Sequence, residues 1–469
     1  MKRIGKVVGM LGILALLVIS GLGCSAVNGA PTLAPTRTRP AANANRKRTL
    51  RPTASLADIS PNTPLTHGPV VGAVTDTTAR VFARTNTASR VQIRYGIQAD
   101  LSDAQSSAIQ TTDASTDFTT IIPLTGLAPS TTYYLDVRVN DASQLAVPYP
   151  HFKTFPPPGT SQNFSFVMLT DSSITRNRYV KTFLSADAEH PDFVILGGDF
   201  PHGRPNTLEK KEWNFKAIYS AGTSPAMSDF VKHILGQYAV AHMWDDHDYG
   251  PDNGDKTYAL KQMSLQVLRE YFPTYPMTEY GDWQKFSYAQ GDFFLLDARS
   301  QRDSALAPNT LTKSMLDGDH LGAQGQLTWL ENGLKESTAR WKFVISPVPF
   351  NETSKPTDSW AAFPAERRAL IDFIQKNNIT GIIIISGDLH MGGIDDGTHS
   401  TFPEMVVNGT NGAGCQSTKT PGVWSQGTYD NGNQPCNGYG VITVMTNPDR
   451  VLLQVKDSDG NTRLSYTVQ

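Results

Sequence analysis

The chain has 469 residues, 39% of them hydrophobic, and a formal net charge of −2. This length and apolar content allow a full buried core and two or more domains. The near-neutral balance gives no electrostatic basis for nucleic acid as a partner, and no nucleic-acid-binding module is evident.

At the amino terminus Lys2, Arg3 and Lys6 precede an apolar run over 7–22 that ends at Gly23-Cys24. A positive start, an apolar centre and small residues at the cut predict a secretory signal over 1–24. At about sixteen residues the run is short for a stable membrane span. Gly21-Leu-Gly-Cys24 resembles a bacterial lipoprotein cleavage box, with Gly21 where Leu is usual, which makes Cys24 the expected lipidation site. The expected location is therefore the bacterial cell envelope, with the protein lipid-attached or secreted. Residues 25–64 are rich in Pro, Thr, Ala, Asn and Arg, hold few large apolar side chains, and read as a disordered tether.

From 65 to 157, segments such as 78–84, 91–95 and 133–139 alternate apolar with polar residues. That period marks half-buried antiparallel strands and predicts a small all-β sandwich. Residues 127–134 resemble the turn and tyrosine corner of fibronectin type III domains, and Phe155-Pro-Pro-Pro-Gly159 reads as a linker.

Beyond 160, apolar runs alternate with helical stretches. The runs at 164–169, 193–196, 238–244, 293–296, 342–346 and 382–385 read as strands buried on both faces, and the stretches between them predict α/β layering. Helical spacing runs over 314–337, through Leu316, Leu327, Leu330 and Leu334, and again over 364–375. The carboxyl end returns to short strands. With Cys24 assigned to lipid, Cys415 and Cys436 remain, and an exported setting favours a disulfide between them.

In an open α/β sheet, ligands bind beyond the carboxyl ends of the strands. Asp171, Asp199, Asp246 and Asp388 each lie just past an apolar run, and His202, His247 and His390 follow closely behind acids. Packed carboxylates repel one another, and a cation makes such a cluster tolerable. Oxygen with imidazole, and no Cys in the cluster, suits Fe, Mn, Zn, Mg or Ca.

Gly198-Asp199, Trp244-Asp-Asp-His-Asp248 and Gly387-Asp-Leu-His390, in that order, resemble PhoD-type alkaline phosphatases of the calcineurin-like metallophosphoesterase superfamily. Asp297-Ala-Arg299, Gln326-Leu-Thr-Trp329 and Trp341-Lys-Phe343 support the resemblance, which spans about 68–469. Purple acid phosphatases share the domain order but expect Gly-Asn-His-Glu where this chain has Asp-Asp-His-Asp. The resemblance implies an α/β (α+β) metallophosphoesterase sandwich over 160–469, with two or more metal ions at strand carboxyl ends. It implies that Asp199 bridges two metals, that Asp171 and His390 serve the first, and that Asp246 and Asp388 serve the second. It makes His247 the group that stabilises the transferring phosphoryl or protonates the leaving oxygen. Two positions depart from the family: a Cys is usual after the first core strand, and a Tyr three residues past the Gly-Asp aspartate. This chain has Asp171 and His202 there; both can ligate metal, so an altered metal preference is expected. Arg176 and Arg204 are phosphate-contact candidates by position alone.

The implied activity is hydrolysis of organic phosphate esters, mono- or diesters, by water activated between two metals. The alternatives are a phospholipase D-like phosphodiesterase and a non-catalytic cell-surface adhesion protein that keeps the fold.

Overall fold

The computed structural model describes residues 63–173, 181–411, 422–430 and 436–469. Nine strands come first: β1 (Leu65–Gly72), β2 (Thr78–Thr85), β3 (Arg90–Gly96), β4 (Gln105–Ser106), β5 (Gln110–Thr111), β6 (Thr119–Thr125), β7 (Thr132–Val139), β8 (Ala142–Ser143) and β9 (His151–Lys153). β1, β2 and β6 form one antiparallel layer, while β3, β7 and the short strands form the other. Alternate residues (Val81, Ile122 and Leu124 on one layer, Ile93, Leu135 and Val137 on the other) share one core, as the period of two requires. At the turn the Ala128 amide donates to Tyr133 Oη at 2.9 Å.

The apolar runs of the second part become β10 (Phe164–Ser172), β11 (Phe193–Gly197), β12 (Val240–Met243), β13 (Gln284–Tyr288), β14 (Gly291–Leu295), β15 (Trp341–Ser346) and β16 (Ile382–Ser386). Shorter β17 (Gly392–Asp395), β18 (Glu404–Val406), β19 (Gly409–Asn411) and β20 (Thr428–Tyr429) precede a terminal meander of β21 (Gly438–Thr446), β22 (Asp449–Asp457) and β23 (Thr462–Val468). One sheet is ordered β23-β22-β21-β10-β11-β12-β1-β2-β6, with β19 on β10; the other is β13-β14-β15-β16-β18-β17-β20.

The two sheets pack face to face. Phe166, Met168, Phe193 and Ile195 meet Phe293, Leu295, Phe343, Ile345, Ile383 and Ile385 between them. The intervening Val167, Leu169, Val194 and Leu196 pack under helices that include α1 (Thr182–Asp187), α2 (Leu208–Tyr219) and α3 (Pro225–Asp229). Past these come the single turn α4 (Asp246–Tyr249) and α5 (Lys261–Tyr271). On the far side Phe294, Val344, Ile382 and Ile384 pack under α6 (Gln326–Glu336) and α7 (Pro364–Lys376). Layers on both faces of each sheet explain why these strands read as unbroken apolar runs.

α6 is shorter than the helix expected over 314–337. The amides of Met315 and Leu316 donate to Glu366 on α7 rather than to helical carbonyls, and Asp317 Oδ1 takes the Leu321 amide at 2.7 Å. These local acceptors compete with α-helix and hold 314–321 out of it, ahead of a short 3-10 helix over Gly322–Gln324.

β1 runs parallel to β12, with Gly72 opposite Val240, so the first layer of the sandwich extends the larger sheet. Phe155, in the Pro-rich join, is 2% exposed, and its ring lies 4.8 Å from that of Tyr288. The expected linker is thus a packed seam. Among the described residues, no helix is long and apolar enough to cross a membrane.

Candidate metal centre

Asp171, Asp199, Asp388 and His390 adopt left-handed backbone, with φ of 51°, 53°, 70° and 55°. Such conformations are uncommon outside glycine, cost energy, and gather at functional sites. Gly198 explains the Gly-Asp pair: its φ is 102°, and a Cβ there would lie 2.8 Å from Asp245 Cβ. The turns are knitted by backbone bonds. Ser172 N donates to Asp199 O, His202 N to Ser172 O and Arg204 N to His247 O, each at 2.9 Å.

These turns bring six of the expected residues together. Asp171 Oδ1 lies 3.2 Å from His390 Nε2, and Asp199 Oδ2 lies 3.5 Å from His202 Nε2 and 3.9 Å from His247 Nε2. Asp246 Oδ1 is 3.8 Å from His247 Nε2. The His202 and His247 rings stack at 3.6 Å, with His390 5.4 Å from His202. Two ligand groups result, Asp199–His202–His390 and Asp199–Asp246–His247, each with its donor atoms within 4.8 Å of one another. Asp199 belongs to both.

The donor set fits cations. Asp171 Oδ1, His202 Nε2 and Asp246 Oδ1 are buried and have no hydrogen-bond partner among the described residues. Burial, reinforced by the charges of Asp246, Asp245, Asp171 and Asp248, pushes the Asp199 carboxyl well above its usual range. Burial also pushes His202 down to about 3, which leaves its imidazole neutral and able to ligate. Burial opposes ionisation of Asp171 too, but the charge of His390 and the Thr170 hydroxyl on Oδ2 outweigh it and hold that carboxyl low.

The acids that follow β12 divide into distinct tasks. Asp248 accepts the amides of Asp245 at 2.6 Å and Phe200 at 3.2 Å, so it shapes the turn. Asp245 binds the Arg299 guanidinium. Asp246 takes the Asn253 amide on Oδ2 and keeps Oδ1 for the centre. The His247 amide donates to Asp199 Oδ1 at 2.9 Å. His247 Nδ1 accepts from Arg204 Nε at 3.1 Å, so the neutral ring carries its proton on Nε2, the atom facing Asp199 and Asp246.

Asp388 is different. Like Asp171 it belongs to neither ligand group, but Lys355 Nζ lies 2.6 Å from both of its oxygens. The same ammonium is 3.0 Å from Asp358 Oδ2, and Asp358 also receives Arg299 Nη1 at 2.7 Å and Arg302 Nη1 at 2.6 Å. Arg204, an expected phosphate contact, is engaged by His247 and, at 2.9 Å, by Asp252. Arg176, Cys24 and Cys415 lie outside the described residues. Cys436 is disulfide-bonded. Lys355, Asp358 and Arg302 were not among the residues expected from sequence. Lys355 and Asp358 lie well past the apolar run at 342–346, in the loop that follows it, and no spacing to that run marked them.

A helix–sheet–sheet–helix sandwich with acids and histidines gathered past its strand ends defines the metallophosphoesterase class. The family model of PhoD-like phosphatase matches residues 172–420, and the chain belongs to that family of phosphoric ester hydrolases. A separate model, a domain of unknown function (DUF7800), matches residues 62–159. The chain is 25% identical over 306 residues to alkaline phosphatase D of Bacillus subtilis (strain 168), covering 56% of this chain and 52% of that protein. It thus spans about half the length of that curated relative. A solved structure of PhoD superposes with a TM-score of 0.69 at 18% identity, covering 85% of this chain and 89% of the other. Purple acid phosphatase from yellow lupin (Lupinus luteus) seeds gives 0.58 at 16% identity, covering 86% and 74%. Both share the fold.

Proposed function

We propose that the chain is an exported, metal-dependent phosphoesterase that releases phosphate from organic esters. The observation that carries this is Asp199, which lies beside His202 and His390 in one group and beside Asp246 in the other, and so suits a carboxylate that would serve two cations. Cations held by Asp171, Asp199, His202, Asp246 and His390 would supply Lewis-acid charge to the phosphoryl oxygens and an acidified water as nucleophile.

The remaining work falls to the chain's own groups. Thr170 Oγ1 donates to Asp171 Oδ2 at 2.7 Å, which fixes that carboxylate and leaves Oδ1 turned to His390. His247 presents an N–H beside Asp199 and Asp246, in position to donate to a phosphoryl oxygen or the departing alkoxide. Arg204 keeps that proton on Nε2 by donating to Nδ1. The His202 ring stacked on His247 fixes its plane.

Metal analysis and hydrolysis of a monoester and a diester test the reading in Asp246→Asn and His247→Ala variants. Asp246→Asn should lose both bound metal and turnover. His247→Ala should keep its metal and lose turnover by about 100-fold, because a group acting in the transition state need not hold the resting site. Near-parental hydrolysis in both variants would leave an adhesion protein as the better account. Export and attachment through Cys24 are supported by the charged start and apolar run of 1–24. Cys24→Ser should move the protein from the membrane fraction to the soluble one.

A further inference from the structure

We propose that Lys355 supplies at Asp388 the positive charge that a metal ion would otherwise supply, so that Asp388 serves the lysine and not a cation. The proposal rests on the reading of the Asp199 groups as cation sites. Lys355 Nζ contacts both Asp388 oxygens at 2.6 Å and Asp358 Oδ2 at 3.0 Å. The lysine is held in place by its loop. Ser359 Oγ donates to the Lys355 carbonyl at 2.6 Å and receives the Ala361 amide at 3.1 Å, while Trp360 N donates to Pro349 O at 3.1 Å.

Charge accounting points the same way. Asp245, Asp358 and Asp388 interleave with Arg299, Arg302 and Lys355, so three acids meet three bases in one contiguous network, buried except at the half-buried Lys355. Asp171 faces His390. Among the described residues, Asp199 and Asp246 are left with no ammonium or guanidinium group in contact, and the demand for added cations falls on them. A divalent ion at Asp388 would sit at contact distance from the Lys355 ammonium, and like charges so placed repel strongly. An acid that sequence position marks as a ligand thereby has its charge met within the protein, with Oδ1 taking the hydrogen bond of the ammonium.

The test counts ions. Wild type, Lys355→Met and Lys355→Met/Asp388→Asn are equilibrated with Mn2+, freed of excess, and analysed for manganese per chain; thermal midpoints are followed against Mn2+ concentration. Lys355→Met should hold one more ion per chain than wild type, with a larger rise in midpoint on adding Mn2+. The double variant, in which acid and base are removed together, should return to the wild-type count. A wild-type count in Lys355→Met overturns the proposal, as does an extra ion that persists in the double variant. Unchanged counts with weakened binding of inorganic phosphate would overturn it by making Lys355 a substrate contact. Should Lys355→Met fold poorly, Lys355→Arg must keep the wild-type count, and an added ion there also overturns it. A wild type that binds no manganese fails separately, since it removes the metal-site reading itself.

Discussion

At the scale of single residues, the centre depends on which atom of each side chain is left free. His247 has two ring nitrogens, and Arg204 decides their roles by donating to Nδ1. Arg204→Ala should lower kcat by roughly tenfold, about 1.4 kcal/mol of transition-state stabilisation, with manganese per chain unchanged. Arg204→Lys should not restore the rate, because a mobile ammonium does not reproduce the planar Nε–H aimed at the ring. Steady-state kinetics beside metal analysis checks both. Asp199, Asp246 and His247 were readable from sequence, since acid and imidazole past apolar runs is a pattern of residue types. Lys355 was not, because the partner of an acid is a matter of space.

At the scale of elements, the strand-to-turn junctions carry the geometry. Gly198 turns the chain out of β11 with φ of 102° and lets Asp245 approach to a distance that no Cβ tolerates. Gly198→Ala should destabilise the fold by about 1–3 kcal/mol and lower metal content by displacing Asp199. Gly126→Ala is the control: φ there is 71° but nothing lies within 4 Å of the added carbon, so only the conformational cost of about 1 kcal/mol should appear, with metal unchanged. Urea denaturation and metal analysis separate the two. The strands were legible because burial on both faces leaves a continuous apolar run. The start of α6 was not, because the acceptors that break the pattern come from Glu366 on α7 and from a turn around Asp317.

At the scale of the whole molecule, the sandwich is locked to the larger part through Asp117. Its carboxylate receives Arg84 from β2 at 2.8 Å, Lys216 from α2 at 2.8 Å and the Tyr271 hydroxyl from α5. Burial pushes the Asp117 carboxyl up, but these three partners outweigh it and bring it down to about 2 from 3.8. A pKa lowered on folding adds stability that is complete above the unfolded value and fades as pH falls through the folded one. Asp117→Asn should therefore cost about 2 kcal/mol at pH 7. The deficit should shrink between pH 3.8 and about 2, as read from urea midpoints of both proteins across that range.

The sequence by itself marked the layers, the apolar runs that become the core strands, and the acids and histidines that cluster past their ends. Each of these rests on local information: the period of apolar residues, and acid or imidazole at a strand's carboxyl end. Tertiary structure decided which acids remain free for a cation. Asp245 is neutralised by Arg299, 54 positions on, Asp388 by Lys355, 33 positions back, and His247 is oriented by Arg204, 43 positions back. Tertiary structure also joined β1 to β12, so that two parts which read as separate share one sheet. The reason is common to all of these. A buried charge must be met by whatever opposite charge the fold brings within about 3–4 Å, and an open strand edge by whatever strand the fold lays beside it. Neither neighbour is recorded in the residues on either side along the chain.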